Sequence, residues 1–447
     1  MINKLFDYSK QRITYHYFRN LLASSEKWTP MQIRRFQWEQ LKRSLEIAYN
    51  SVPYYRDHAR KHAYSLKDIN DIDDFKQIVP IINKDVIRAN GELFLNDQYP
   101  SNKRISFTTG GSTGDPVELW SDQKSVVIEK AFIHHLWSQV GFRQGNRIAR
   151  IRSGVLFDQA KKPVSFQRQK KLLLLSSYHT TDDDYYLMVK ELIKFKPHHL
   201  HVYPSSLIGL AHYLKNHASM RIPGLVSILS ASEILPESLR LMFQEVFQVP
   251  VYSHYGMAEH IALAGFGKDD HRYHFMPLYS FIEFKPNCQY TGLHRIIGSN
   301  FWNQAMILLR YDIGDFVELG EGSVDFSSPV RTLVGRALNH FVLKDKSLLS
   351  ATVVVPGYRY WNSFRNISQL QFEQLIPGRV VVRLEATSGF SEHDFHNISK
   401  VFSESARGKL DVILEIGNIQ RTESGKVPLV VQSPEIKAVI SDKLANV

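Results

Sequence analysis

Apolar residues recur near helical spacing between Trp28 and Asn50, at Ile33, Phe36, Leu41, Leu45 and Ala48. That spacing predicts a helix, and the residue before a proline is biased away from helix, so it should stop ahead of Val52-Pro53. The whole of residues 1–95 reads as helical, with turn and cap chemistry at Asp71 to Phe75 and Pro80 to Asn83. From residue 104 the pattern changes. Arg104 to Phe107 predicts a short strand, followed by a loop rich in Gly, Thr and Ser. A helix is expected over Lys124 to Gly141, and short apolar runs follow at Arg147–Ile151, Lys171–Leu175, His199–Tyr203 and Leu225–Ala231. Such alternation predicts strand–helix units around a largely parallel sheet. A β-rich stretch runs from Ser280 to Leu319. The last hundred or so residues differ in character, with strands expected at Val353–Val355, Val380–Leu384 and Val412–Glu415 and a helix over Ser391–Ser405. The fold class expected is α/β: a large N-terminal domain over 1–335 and a small mobile α+β domain over 336–447, with a hinge near Gly335–Asn339.

Composition narrows the classes. The chain has 447 residues, 43% hydrophobic, 12% aromatic and 22% charged, which is ordinary for a globular protein. No unbroken apolar stretch predicts a membrane span, and the N-terminus breaks its apolar residues with charges, unlike a signal peptide. The single cysteine, Cys288, excludes an internal disulfide and a multi-cysteine zinc site. A cytoplasmic protein is expected. The net charge of +11 suits either a solvated basic surface or work near anionic lipid or glycan, in peripheral contact with membrane-associated synthesis machinery. No nucleic-acid motif accompanies it, so nucleic acid is not an expected partner.

Four segments carry candidate chemistry. In Ser106-Phe-Thr-Thr-Gly-Gly-Ser-Thr-Gly-Asp-Pro116, three glycines allow sharp turning and close approach to a ligand. Backbone N–H groups and the hydroxyls of Thr108, Thr109, Ser112 and Thr113 could surround phosphate oxygens. No Gly-Lys-Ser/Thr closes it, so it is not a Walker A loop. It reads equally as an ordinary flexible loop. His254-Tyr-Gly-Met-Ala-Glu259 offers an aromatic face beside a glycine and a carboxylate able to hold Mg²⁺, or else a plain core-and-turn segment. Arg310-Tyr-Asp-Ile-Gly-Asp315 places two carboxylates around a glycine, either for ribose hydroxyls or as a charged turn between strands. Gln420-Arg-Thr-Glu-Ser-Gly-Lys426 is a polar loop before the apolar run Val427–Val431. Its lysine could neutralise developing charge, or the loop could be a basic β-turn. The histidine groups His134-His135, His198-His199-x-His201 and His271-x-x-His274 lack a convincing ligand set for zinc.

Taken in order, these motifs and a Gly-Arg pair at Gly335-Arg336 resemble the adenylate-forming superfamily of acyl-CoA ligases, luciferases and adenylation domains. Within it the chain is most similar to the phenylacetate–CoA ligase-like branch, and there to the capsular-polysaccharide subgroup. Ser51-Val-Pro-Tyr-Tyr-Arg56, Pro80-Ile-Ile-Asn-Lys84, His201-Val-Tyr-Pro-Ser205 and Ser230-Ala-Ser-Glu-Ile-Leu-Pro236 are similar to signatures of the branch. The run from Tyr255 to Ala264, then Tyr273-His274 and Ile296-Ile-Gly-Ser-Asn300, resembles the subgroup.

The resemblance implies an ATP- and Mg²⁺-dependent ligase. It would convert a small carboxylic acid into an acyl-adenylate and pass the acyl group to an acceptor in glycan biosynthesis. It implies that Thr108, Thr109, Gly110, Gly111, Ser112, Thr113 and Gly114 hold the ATP phosphates. Ala231, Ser232 and Glu233 would line the adenine pocket, with Tyr255 and Gly256 against the base and Glu259 on Mg²⁺. Asp315 would accept the ribose hydroxyls, Arg336 support the nucleotide, and Lys426 orient the carboxylate against the α-phosphate. Two positions depart from the pattern: Ala258 stands where Thr or Ser is usual, and Asn339 where Asp is usual at the hinge. The expected acceptor is an amine or hydroxyl of a sugar, a glycan precursor, or an amino acid destined for one. Coenzyme A is the rival, since Lys344 and Lys346 could pair with its phosphates. An acyl-CoA ligase and a non-catalytic nucleotide-binding scaffold are the two alternatives to this function. Retention of Glu259 and Lys426 speaks against the scaffold.

Overall fold

The computed structural model describes residues 2–445 apart from 109–116, 153–165, 169, 178–180, 218, 269, 287–291, 321–328, 337–339, 351–365, 388, 407, 421–427 and 429. Two compact units form, one from Met1–Gln139 with His254–Gly335 and the other from Val140–Ser253 with Arg336–Val447. No helix among the described residues is long and apolar enough to cross a membrane.

The first unit opens with the expected helices. Ile2–Ser25 is followed by Pro30–Ser51, whose start is fixed by a capping box between Thr29 and Gln32. That helix ends at Ser51, as the Val52-Pro53 step requires, and Pro53 begins the next one, Pro53–Lys61. Asp71 and Asn83 cap the short helices Ile72–Ile78 and Lys84–Asn90 through their side-chain oxygens. An antiparallel hairpin of Arg104–Thr108 and Glu118–Asp122 leads into helix Gln123–Ser138, capped by Asp122. The remainder is antiparallel sheet. Ser280–Pro286, Leu293–Asn300 and Tyr311–Leu319 lie side by side, while Tyr273–Phe275 pairs with Leu263–Phe266, which pairs with the end of Val251–Gly256.

The N-terminal signatures of this unit have a mechanical role. Tyr55 is fully buried and its hydroxyl accepts the N–H of Leu309 at 2.8 Å. Ile82 exchanges backbone hydrogen bonds with Arg310 and Asp312. Arg310 is buried at positive φ (51°), and its guanidinium grips Glu283 through two nitrogens while donating to the carbonyls of Val79 and Lys76. The helical layer is thus locked to the strand that carries Asp315.

The second unit contains the parallel strands Ser227–Ala231, His199–Val202, Ile148–Arg152 and Leu172–Ser176, in that spatial order, with Phe166–Arg168 antiparallel at the edge. Helices Asp182–Phe195, Pro204–Asn216 and Glu237–Phe247 alternate with them. Its C-terminal part is α+β. A four-stranded sheet in the order Asp411–Ile416, Arg379–Ala386, Ile367–Ile376, Val430–Gln432 has an antiparallel centre and parallel flanks. Helix Glu392–Ala406 buries Ile398, Val401 and Phe402 against Phe372, Val380, Val382 and Leu384. Ile436 and Ile440 of helix Pro434–Ala445 close on Val342. The expected strand at 353–355 lies outside the described residues, and Val427–Val431 narrows to Val430–Gln432.

Candidate functional site

The strand Val251–Gly256 ends on the Tyr-Gly pair. The Tyr255 hydroxyl donates to Asp315 Oδ2 at 2.6 Å. Two segments separated by sixty residues in sequence therefore meet at one charge-assisted hydrogen bond. Gly256 lies where a Cβ would come within 3.3 Å of the Leu263 side chain, so the backbone there has little room for a larger residue. Asp315 is not in a turn, as its sequence suggested, but within the strand Tyr311–Leu319. The register slips between Arg295 and Ile297, and Gly314 takes φ 78° at the resulting bulge. A bulge re-aims side chains, and glycine admits the left-handed backbone without cost to a Cβ. Asp312, the other carboxylate of the motif, is spent on structure: it pairs with Arg295 and accepts the Gly314 N–H.

Glu259 sits in the turn after the strand and is buried at 6% exposure, with the Tyr311 hydroxyl donating to its Oε1 at 3.5 Å. The turn is held by a group that pattern reading missed. His260 adopts φ 55°, and its Nδ1 lies 3.3 Å from Glu129 of helix Gln123–Ser138. The hydroxyl of Tyr279 donates to the same carboxylate at 3.2 Å. Burial and the Glu129 charge hold the Tyr279 phenol well above its ordinary pKa, so it stays a donor. Left-handed backbone costs a non-glycine residue about 1–2 kcal/mol, which these bonds offset. No local pattern marks Glu129, because its partners are 131 and 150 residues away. The ring of Phe107 stands edge-on to His260 at 6.0 Å, one residue before Thr108 ends its strand. The remaining loop residues, Thr109 to Gly114, lie outside the described residues, as does the side chain of Thr108.

Ala231, Ser232 and Glu233 lie in the second unit, at the carboxyl end of the strand Ser227–Ala231, where open α/β sheets bind ligands. Ser232 takes φ 68°. Both oxygens of Glu233 are engaged by Ser205, which donates from its N–H and its hydroxyl at 2.9 Å each. Glu233 therefore caps helix Pro204–Asn216, a favourable place for a carboxylate. The Ser205 carbonyl in turn accepts from Gln369 at 2.7 Å. The side chain of Arg336, Asn339 and the whole of 421–427, including Lys426, lie outside the described residues.

Among the described residues no group of three or more His, Cys, Asp or Glu could hold a metal ion. Mg²⁺ does not require one, since it commonly takes one or two carboxylates and completes its shell with water and substrate phosphates. The single buried carboxylate of Glu259 fits that mode. His199, by contrast, is spent on structure: fully buried, it bonds Ser227 at 2.8 Å and Asn146 at 3.2 Å.

No protein-family profile matches the chain. A curated relative does: Protein CapK of Staphylococcus aureus is 24% identical over 407 residues, covering 88% of this chain and 86% of that protein. A solved 2-hydroxyisobutyryl-CoA ligase in the postadenylation state, in complex with R3-HIB-AMP, superposes with a TM-score of 0.65 at 12% identity, covering 92% of this chain and 91% of the other. The chain shares the fold of that ligase and is similar in sequence to CapK. The same fold appears in a GH3.15 acyl acid amido synthetase, with a TM-score of 0.56 at 14% identity over 92% of this chain and 93% of that one. The chain thus shares its fold both with a CoA ligase and with a synthetase named for amide formation.

Proposed function

We propose that the protein is an ATP-dependent, AMP-forming acid ligase. It would activate a small carboxylic acid as its acyl-adenylate and transfer the acyl group to an acceptor in the synthesis of a cell-surface glycan. The observation that carries the reading is the Tyr255–Asp315 hydrogen bond, with the buried Glu259 four residues after Tyr255 in the chain, on an adenylate-forming fold. It supports one oxygen-rich place for a ribose and one carboxylate for Mg²⁺.

The chemistry asks for no base. A carboxylate is already ionised at neutral pH and attacks the α-phosphorus directly. It needs orientation and relief from repulsion by the triphosphate. Thr108, Thr109, Gly110, Gly111, Ser112, Thr113 and Gly114 would hold the phosphates, and Mg²⁺ bound through Glu259 would offset their charge. Lys426 would sit between carboxylate and α-phosphate, where its charge counts most as the transition state forms. Tyr255 keeps Asp315 oriented, and Ala231, Ser232 and Arg336 would contribute to nucleotide binding. Glu233, bound to Ser205, would shape the pocket as the cap of helix Pro204–Asn216. The 336–447 segment would act as the smaller domain, carrying Lys426.

For the acceptor we infer an amine or hydroxyl of a sugar or amino acid. The similarity to CapK and the fold shared with an amido synthetase support it. The experiment is acid-dependent release of pyrophosphate from ATP, with hydroxylamine present to trap the adenylate as a hydroxamate. Once the acid is known, coenzyme A is compared with amino-sugar nucleotides as acceptors. Rapid acyl-CoA formation, with no transfer to any sugar, would replace this acceptor with the thiol.

A further inference from the structure

Within the first unit, two elements grip the turn that carries Glu259. The turn closes where the His260 N–H donates to the Met257 carbonyl at 3.2 Å, and it leaves His260 at φ 55°. The first element is helix Gln123–Ser138. Glu129 Oε2 lies 3.3 Å from His260 Nδ1, and Glu129 Oε1 accepts the Tyr279 hydroxyl at 3.2 Å. That hydroxyl also lies 3.4 Å from His260 Nδ1, so the three groups close a ring of contacts. Phe132, three residues along the same helix, packs edge-on to the Tyr279 ring at 5.2 Å. The second element is the strand Leu293–Asn300. A Cβ at Gly298 would collide with the Ile261 side chain and stand 3.1 Å from its carbonyl oxygen, and Ile261 is fully buried. Two segments that resemble the capsular subgroup, Tyr255 to Ala264 and Ile296 to Asn300, therefore meet at this turn.

A non-glycine residue keeps left-handed backbone only where its surroundings over-determine it, and such residues gather at functional sites. Glycine would take the same φ freely, with no partner on another element. What His260 adds is a handle by which Glu129 fixes the backbone one residue after Glu259. The Glu259 side chain is itself buried, so fixing the backbone beside it fixes the place its carboxylate can offer a metal. We propose that Glu129 is a positioning residue that, through His260, holds Glu259 at the geometry Mg²⁺ binding needs. This rests on Glu259 being the Mg²⁺ carboxylate of the proposed reaction. Groups that orient a metal's ligand without touching the metal are commonly worth about ten- to a hundredfold in metal affinity. Loss of Glu129 should therefore fall on the Mg²⁺-dependent part of nucleotide binding and spare the rest.

The test is ATP binding to the full chain, followed by calorimetry across a Mg²⁺ series and in EDTA. Glu129→Leu removes both contacts and keeps most of the bulk. It should raise the Mg²⁺ concentration for half-maximal ATP binding about tenfold, with the affinity for ATP in EDTA within about twofold of the wild type. Glu129→Gln, whose amide can still accept from Tyr279 and donate to His260, should stay within about threefold of the wild type. In a Glu259→Gln background, Glu129→Leu should add nothing to the Mg²⁺ requirement, since it acts through that carboxylate. Should Glu129→Leu not fold, Tyr279→Phe removes one bond to the same carboxylate and should raise the requirement about threefold. An unchanged Mg²⁺ requirement, an equal loss of affinity with and without Mg²⁺, or a Glu129→Gln protein as impaired as Glu129→Leu overturns the proposal. A wild type whose ATP binding ignores Mg²⁺ would instead defeat the metal site of the functional reading, and the proposal with it. A wild type that responds to Mg²⁺, beside variants that match it, defeats the proposal alone.

Discussion

At the scale of the residue, three side chains in the first unit carry separable roles. The Tyr255 hydroxyl touches Asp315 and contributes a charge-assisted bond. Tyr255→Phe should raise the KM for ATP by about tenfold with a smaller change in kcat, as loss of such a bond is worth about 1.5 kcal/mol. Steady-state kinetics with varied ATP checks this, and an unchanged KM would remove the pair from the nucleotide site. Glu259→Gln should raise the Mg²⁺ concentration needed for half-maximal rate, measured by metal titration. Arg310 belongs to a different class. Its guanidinium satisfies Glu283 and two carbonyls inside the protein. Arg310→Met leaves Glu283 buried without its partner, and should cost about 3–5 kcal/mol in denaturant unfolding. A motif that looks uniformly functional in sequence thus divides. Arg310 anchors the strand, Asp312 braces the bulge, and Asp315 is what the bulge presents.

At the scale of the element, the long helices and hydrophobic strands were legible because their periodicity and caps are local. Thr29 with Gln32, Asp71, Asn83 and the Val52-Pro53 step mark ends that a few neighbouring residues decide. The strand Ile367–Ile376 was not legible. Its polar residues, Gln369, Gln371, Glu373 and Gln374, break up any apolar run, yet all are buried because Ser205, Gln420, Pro428 and Val342 satisfy them from afar. Glu129 escaped for the same reason. The second unit also carries a pH dependence, through His199 on a parallel strand and His212 on the helix Pro204–Asn216. Burial pushes His199 and His212 down to about 4 from the usual 6.5, so both stay neutral in the fold. The unfolded chain takes up their protons first, so stability is fully present above about 6.5, falls as the pH drops toward 4, and levels off below it. The melting temperature should decline through that window, and His199→Gln should flatten the slope by about one proton. An unaltered slope would mean that His199 is protonated in the folded protein.

At the scale of the whole molecule, the two compact units do not follow the chain in order, because residues 140–253 cluster with 336–447. One boundary between the units falls at Gly335. Nothing in local pattern could reveal that an internal segment joins the C-terminal part, since contacts such as Gln369 to Ser205 span 164 residues. The central claim is acid-dependent adenylate formation by this fold, with Lys426 supplying charge at the α-phosphate. The measurement that tests it most directly is pyrophosphate release from ATP and Mg²⁺ across a panel of carboxylic acids, for the wild type and for Lys426→Ala. The account predicts release that depends on one class of acid, yields a hydroxamate with hydroxylamine, and falls by at least about a hundredfold in the variant while ATP still binds. Pyrophosphate release at the same rate in both proteins, or bound ATP that no acid converts, would contradict it.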